Sequence, residues 1–210
     1  MLIESEAVMK KLPLGIQSFR SIIEGGYAYA DKTSVFSELN NMYDITLAED
    51  YANICGVAID DLGVYFGDHI ESLAQRGRLE QYGSLHDEIL AWYDGYSWDG
   101  RNRVINPFSL LSFFQRKAFS SFWYASGTPK ILVDFIKRDP VIFTNMKGLT
   151  VTELMLDSSG IEDIDPELLL FQSGYLTVKE VVPTRGAPRY LLEMPNFEVR
   201  EAFKIGRAHV

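Results

Sequence analysis

The chain has 210 residues, of which 47% are apolar and 23% are charged, a composition that predicts a packed globular core and excludes extended disorder. Twenty basic residues stand against twenty-nine acidic ones, and the resulting net charge of −9 disfavours broad affinity for nucleic acid. The acidic N-terminus and the lack of an apolar run of about 18 residues predict a cytoplasmic protein without a membrane span. One cysteine and three scattered histidines exclude an internal disulfide and predict no metal site.

Apolar spacing predicts that the middle of the chain is helical. A helix over 16–24 and a short extended segment over 27–30 come first. Two amphipathic helices follow, one behind Asp60 that ends near Gly77 and one behind Ser84. Further helix starts are predicted where an N-cap side chain precedes proline, at Asn106-Pro107, Thr128-Pro129 and Asp165-Pro166.

The last quarter of the chain has a different pattern. A short helix over 166–171 is followed by β-rich runs over 175–182 and 189–194, and a new helix begins at Asn196. This order of helix, two-stranded hairpin and helix predicts a winged-helix-like module over 150–204. The predicted fold class is therefore mainly α with a small β hairpin.

The nearest approach to a phosphate-binding P-loop lies between Gly26 and Thr33. A P-loop needs a second glycine before Lys-[Ser/Thr], because the backbone must approach the phosphates closely. Here Asp31 occupies that position, before Lys32, and its carboxylate would repel a phosphate. We therefore predict no functional phosphate loop and no catalytic residue in this chain.

Two acidic pairs allow a functional and a structural interpretation. Asp60 and Asp61 imitate the acidic end of a Walker B strand, but capping of the following helix is favoured. Asp94 and Asp99 each precede a glycine among aromatic residues, which favours a tight loop under ring packing over a platform for stacking a sugar or a base.

Several long strings resemble one known family in the same order along the chain. The strings are Leu12-Pro13-Leu14-Gly15-Ile16-Gln17-Ser18-Phe19-Arg20, Asp31-Lys32-Thr33, Trp92-Tyr93-Asp94-Gly95-Tyr96, Asn106-Pro107-Phe108-Ser109, Ser126-Gly127-Thr128-Pro129 and Pro195-Asn196-Phe197-Glu198-Val199-Arg200. With these strings, the chain resembles the bacterial predicted AAA-ATPase-like family, whose members often carry a C-terminal PD-(D/E)XK nuclease-like domain.

The chain departs from this family at one place. In the family, the segment that resembles Asp31-Lys32-Thr33 is followed by the P-loop and the ATPase core, whereas here Ser34 follows directly. The resemblance therefore implies an internally deleted member, in which ATP and Mg²⁺ are expected only for the intact parent. Tyr29, Asp31, Lys32 and Thr33 would be a remnant of the cofactor-binding segment.

The resemblance divides the chain into four parts. They are an ATPase-like remnant over 1–33, a helical lid-like bundle over 34–149, the winged-helix-like module over 150–204 and a tail over 205–210. The tail can be encoded by the start of a widely used sequencing adapter, so we expect it to be non-native and the natural protein to continue past Phe203, which makes this chain a C-terminally truncated member.

The leading functional expectation is a non-catalytic fragment of an AAA-ATPase-like protein. A protein-interaction module produced by a real genomic deletion and a DNA-binding winged-helix protein are the alternatives. Between 150 and 204, ten acidic residues stand against five basic ones, so a protein partner is favoured over nucleic acid.

Overall fold

The computed structural model describes residues 56–75, 83–122, 148–156 and 166–208. The predicted remnant over 1–33 lies outside these ranges, as does the predicted helix start at Thr128-Pro129. The four proposed parts of the chain stay predictions.

The first long helix is positioned by a very short strand. Strand β1 (Val57–Ala58) leads directly into helix α1 (Ile59–Ala74), which buries Leu62, Phe66 and Leu73 along one face. Helix α1 thus ends three residues before Gly77, where the sequence predicted its end. Its N-cap residue is Ala58, which has no side-chain acceptor, so neither Asp60 nor Asp61 occupies the N-cap position. Both acids lie in the first turn, where their charge favours the helix dipole.

The next two helices begin at the residues that the sequence predicted. Helix α2 (Leu85–Tyr93) starts after Ser84, whose hydroxyl accepts a 3.2 Å hydrogen bond from the Asp87 amide. Strand β2 (Val104–Ile105) precedes helix α3 (Pro107–Arg116), which is capped by the side-chain oxygen of Asn106. These side chains satisfy amide groups that the helices leave free at their N-termini.

The first hydrophobic core lies between α1, α2 and α3. Strands β1 and β2 pair in antiparallel fashion, with Val57 opposite Ile105, and add both residues to this core. Aromatic rings fill much of its volume: the Tyr93 ring packs against Phe113, Phe119 and Phe122. These rings surround Tyr93, the last residue of α2, directly before the loop that leads to β2.

The second core lies on a three-stranded antiparallel sheet. Strand β3 (Leu149–Thr152) is followed by helices α4 (Glu153–Leu156) and α5 (Pro166–Gln172). Strands β4 (Thr177–Val182) and β5 (Arg189–Glu193) then form a hairpin, and helix α6 (Phe197–Ala208) follows. The strand order is β3-β5-β4, so β5 is central. Val151, Leu192 and Val199 are among the residues that share the core between this sheet and α6.

The predicted fold class is wrong. The sequence predicted a mainly α chain with a small β hairpin, a helical lid-like bundle and a winged-helix-like module. The described residues instead combine helices with two antiparallel sheets that contain five strands. The missed strands have two to four residues, too short for an alternating pattern to be recognised, and long-range pairing alone defines them.

No helix within the described ranges is long and apolar enough to cross a lipid bilayer.

Candidate functional site

Residues 94–103, between α2 and β2, form what we call the junction loop, because it contacts both cores. Its backbone turns at Gly95 and Gly100, whose φ angles are +110° and +71°. Tyr96 and Val104 form an isolated antiparallel bridge with backbone hydrogen bonds of 3.3 and 2.8 Å, which closes the loop at its base. The tight loop predicted around Asp94 and Asp99 is therefore confirmed.

The junction loop packs along the outer edge of β4. The Ser97 amide donates to the Thr177 hydroxyl oxygen at 2.6 Å, and this hydroxyl donates to the Ser97 carbonyl at 2.7 Å. The same carbonyl accepts a 3.1 Å hydrogen bond from the Val178 amide. The loop therefore extends the edge of the sheet by one backbone hydrogen bond and connects the sheet to the helical core.

Asp99 organises the turn at the tip of the loop. Its Oδ1 accepts hydrogen bonds from the backbone amides of Arg101 and Asn102, at 2.9 and 2.8 Å. The Ser97 hydroxyl and the Asn102 side-chain amide also donate to this carboxylate. Burial alone would raise the pKa of Asp99, but these hydrogen bonds outweigh it and lower the pKa below 3.8.

The pKa of Asp94, five residues earlier, is shifted in the opposite direction. Its side chain is buried, and Oδ2 lies 3.6 Å from Nε of Arg103, which is half exposed. Burial raises the pKa of Asp94 above 3.8, although the Gly95 amide and the charges of Arg103 and Lys179 oppose this shift. The ionised form of this carboxylate is thus penalised inside the junction.

The N-termini of α3 and α6 meet beside this loop. Each helix has an asparagine cap: Asn106 accepts from the Phe108 and Ser109 amides, and Asn196 accepts from the Val199 amide. Across the interface, the Ser109 hydroxyl donates a 2.9 Å hydrogen bond to Oε1 of Glu198. Both side chains are completely buried, so the two helix starts are joined by a polar contact without solvent.

Tyr96 completes this polar cluster. Its hydroxyl oxygen is buried and lies within hydrogen-bonding reach of the side chains of Asn106 and Asn196, close enough to Glu198 to be affected by its charge. Burial, reinforced by the charge of Glu198, raises the pKa of the Tyr96 hydroxyl far above 10. The tyrosine therefore stays protonated near neutral pH.

The cluster suits structural rather than catalytic chemistry. Glu198 is fully buried and Asp94 is 5% exposed, so a substrate has no direct access to either carboxylate. A general acid or base must reach the proton that it transfers, within a hydrogen bond or through one water. Within the described ranges, no group of three or more His, Cys, Asp or Glu residues could hold a metal ion.

The structure does not describe the predicted remnant residues Tyr29, Asp31, Lys32 and Thr33, which lie outside its ranges. It does reveal one contact that the sequence analysis missed, the buried pair Ser109 and Glu198. The two helix starts have similar residues in a different order, Asn106-Pro107-Phe108-Ser109 and Pro195-Asn196-Phe197-Glu198. Pattern alone did not indicate that these two starts face each other.

Comparison with known proteins gives one relative and no function. The chain is 36% identical over 175 residues to a protein of Azotobacter chroococcum mcd 1 described as "Uncharacterized protein in vnfD 5'region". The aligned part is 83% of this chain but 32% of the relative, so the chain spans about a third of the length of that protein. No protein-family model and no solved structure matches the chain.

Proposed function

We propose that the described part of this chain is a non-catalytic, protein-contacting module of a larger AAA-ATPase-like protein. The observation that carries this proposal is the junction between the two cores. There, Ser109 bonds to Glu198 and Ser97 bonds to Thr177, so the polar groups are used to hold the chain together.

Such a junction favours mechanical coupling. Buried polar pairs are costly to separate, because each buried group that is left without a partner lowers the stability of the fold by about 1–3 kcal/mol. Opening the interface between α3 and α6 would break the Ser109–Glu198 contact, and shifting the junction loop would break its bonds to β4. The two cores should therefore move as one body and pass on a displacement made at either end.

The surface of this body favours a protein partner. Phe108 and Phe197, next to the two bonded residues, are 50% and 46% exposed. Exposed aromatic rings are enriched at protein interfaces. The net charge of −5 over 150–204 works against a duplex-binding role, since binding to DNA depends on neutralising phosphates with basic residues.

The proposal of an ATPase-like parent protein rests on the resemblance of the quoted sequence strings to that family. ATP and Mg²⁺ would be bound by a core that this chain does not carry, and the nuclease-like domain common in the family would belong to the parent as well. The greater length of the Azotobacter relative leaves room for further parts in proteins of this kind.

The test is a measurement of ATP binding and turnover by the purified chain. We expect no Mg²⁺-dependent phosphate release above the buffer rate and no saturable binding of ATP. Lys32→Ala is the matched control, since Lys32 is the residue that a degenerate phosphate loop would need. ATP turnover that disappears in Lys32→Ala would overturn the non-catalytic assignment.

A further inference from the structure

Three aromatic side chains that are not fully buried lie together where the helical core meets α6. They are Trp92, Phe119 and Phe197, and we call them the aromatic patch. The Trp92 ring contacts both of the others, with its centroid 5.6 Å from that of Phe119 and 6.3 Å from that of Phe197. Phe197 is the most open of the three and is 46% exposed. The patch therefore presents apolar surface to the solvent.

Two arginine side chains lie over aromatic rings at this place. The Arg200 guanidinium lies over the ring of Phe197, 5.7 Å from its centroid. The Arg116 guanidinium lies 5.5 Å from the centroid of Phe122, a ring of the same core against which Phe119 packs. Both arginines are exposed. The patch is thus bordered by cations that aromatic rings hold in position.

These cations have no acidic partner in the described part of the chain. Lys117, at the end of α3, adds a third exposed cation, and none of the three forms an ion pair with a described residue. The two acidic residues of α6 do not offset them, because Glu201 pairs with Lys204 at 2.6 Å and Glu198 is fully buried. Glu88, on α2, is 8% exposed and is also withdrawn from the surface. The border is therefore positive, although the net charge of the chain is −9.

This combination of charge and apolar surface fits an acidic segment of a partner protein that carries an aromatic or a large aliphatic side chain. A guanidinium that lies over a ring keeps the N–H groups of its edge available, and these groups donate in pairs to a carboxylate. The apolar side chain of the partner would cover the open part of Phe197. Arginine and aromatic residues are both enriched in protein interfaces.

Single-stranded nucleic acid is the competing ligand, since it also combines negative charge with flat apolar groups. A base stacks on a free ring face. Here Arg200 lies over the ring of Phe197, and Trp92 and Phe119 stack on each other with 21° between their planes. The net charge of −9 also repels a long polyanion more than a short acidic peptide. The contacts and the charge therefore favour the peptide.

We infer that the aromatic patch, with its border of Arg116, Lys117 and Arg200, binds an acidic segment of a partner protein that carries an aromatic or large aliphatic side chain. The inference rests on the proposed function, because it gives the chemistry of the partner that a protein-contacting module would bind. Its test is separate from the ATP measurement. A chain that binds such a segment could still hydrolyse ATP, and a chain without ATP turnover could fail to bind the segment.

The experiment is a selection of binders to the purified full chain from a displayed library of random peptides. We expect the selected peptides to combine Asp or Glu with Phe, Trp or Leu. Fluorescence anisotropy with a labelled synthetic copy of a selected peptide then measures the affinity. Arg116→Glu/Arg200→Glu should weaken binding by more than about tenfold, and Phe197→Ser should also weaken it, because each change removes one half of the recognition.

Two control variants match these changes. Arg185→Glu/Arg189→Glu makes the same change of charge at exposed arginines in the hairpin of β4 and β5, and Val64→Ser removes an apolar side chain that is 76% exposed on α1. Both should leave the affinity within about twofold of wild type. Circular dichroism shows that each variant is folded.

Three results would overturn the inference: no selected peptide, selected peptides without acidic residues, or an affinity that the charge reversal at Arg116 and Arg200 leaves unchanged. A labelled single-stranded oligothymidylate provides the comparison with nucleic acid. If it binds more tightly than the peptide and loses affinity in the same variant, the patch is a nucleic-acid site and the inference is wrong.

Discussion

The hydroxyl of Ser109 donates a 2.9 Å hydrogen bond to the carboxylate of Glu198, 89 positions along the chain, and neither side chain is exposed to solvent. This contact joins the first turns of α3 and α6, and therefore the helical core and the sheet core. Because a buried carboxylate is costly unless it is hydrogen-bonded, the pair defines how the two cores fit together.

Ser109→Ala should destabilise the chain by about 1–3 kcal/mol, the cost of leaving a buried polar group without its partner. The substitution removes the donor and leaves the carboxylate of Glu198 with one bond fewer in the interior. Urea unfolding followed by circular dichroism measures the effect. Ser112→Ala, one turn further along α3 at a partly exposed position, is the control and should change stability by less than about 0.5 kcal/mol. Equal effects of the two variants would contradict a special role for the buried pair.

Gly95→Ala should destabilise the chain by more than about 2 kcal/mol. The φ angle of +110° strains any L side chain, and a Cβ at this position would collide with the backbone carbonyl of Pro195. Gly63→Ala is the control with the opposite sign: Gly63 lies exposed in α1 with open space around it, and alanine there should stabilise by about 0.5–1 kcal/mol. Thermal unfolding of both variants in parallel measures the difference.

Asp94 and Asp99 should give opposite pH dependences of stability. The folded-state pKa of Asp94 is raised, so its contribution to stability is fully present below about 3.9, the pKa of an unfolded aspartate, and is lost as pH rises through the folded pKa. Asp94→Asn should therefore gain stability relative to wild type as pH rises through that window. The loss of the Arg103 contact reduces the gain in stability of Asp94→Asn at neutral pH. This contact is weak, because the Arg103 side chain is half exposed.

The folded-state pKa of Asp99 is lowered, so its stabilisation is present above the unfolded pKa and is lost as pH falls through the folded pKa. Asp99→Asn should be less stable than wild type at pH 7, and the difference should shrink below about pH 4. Denaturant unfolding of both variants between pH 3 and pH 7 tests the pair. Slopes of the same sign for the two variants would contradict the opposite environments of these carboxylates.

The segment over 150–204 should not bind duplex DNA beyond the weak non-specific level at physiological salt. It carries ten acidic and five basic residues, and two of the basic ones, Arg185 and Arg189, lie near the hairpin turn, where they could meet a phosphate backbone. Fluorescence anisotropy with a labelled duplex measures this. Submicromolar affinity that falls steeply with salt and disappears in Arg185→Ala/Arg189→Ala would refute the prediction.

Local signals predicted the helix starts at Ser84 and Asn106 and the hairpin of β4 and β5, but they missed the three shorter strands. Ser84 and Asn106 cap helices because their acceptor side chains precede an amphipathic run, and this information lies within a few residues. Strand β3 has no comparable local signal. It is defined by pairing with β5, from Leu149 opposite Leu192 to Thr152 opposite Arg189, about 40 residues away in sequence.

The candidate site, too, could be predicted from the sequence only in part. A tight loop at Asp94 and Asp99 follows from glycine and aspartate at turn positions, so the sequence was sufficient to predict it. The opposite pKa shifts of the two carboxylates depend on which one is buried beside Arg103 and which one receives backbone amides. Such information exists only after the chain has folded, as does the contact between Ser109 and Glu198.

The bonds between the junction loop and β4 have a consequence for dividing the chain into independent pieces. A fragment that begins at 148 would retain the three-stranded sheet, but the outer edge of β4 would lose Ser97 and expose unpaired backbone groups. The carboxylate of Glu198 would lose Ser109 at the same time. Open strand edges recruit other chains, so we expect this fragment to aggregate, whereas a polypeptide that begins before β1 should remain dispersed. We therefore expect the smallest piece that stays monomeric in solution to be larger than the sheet and its helices.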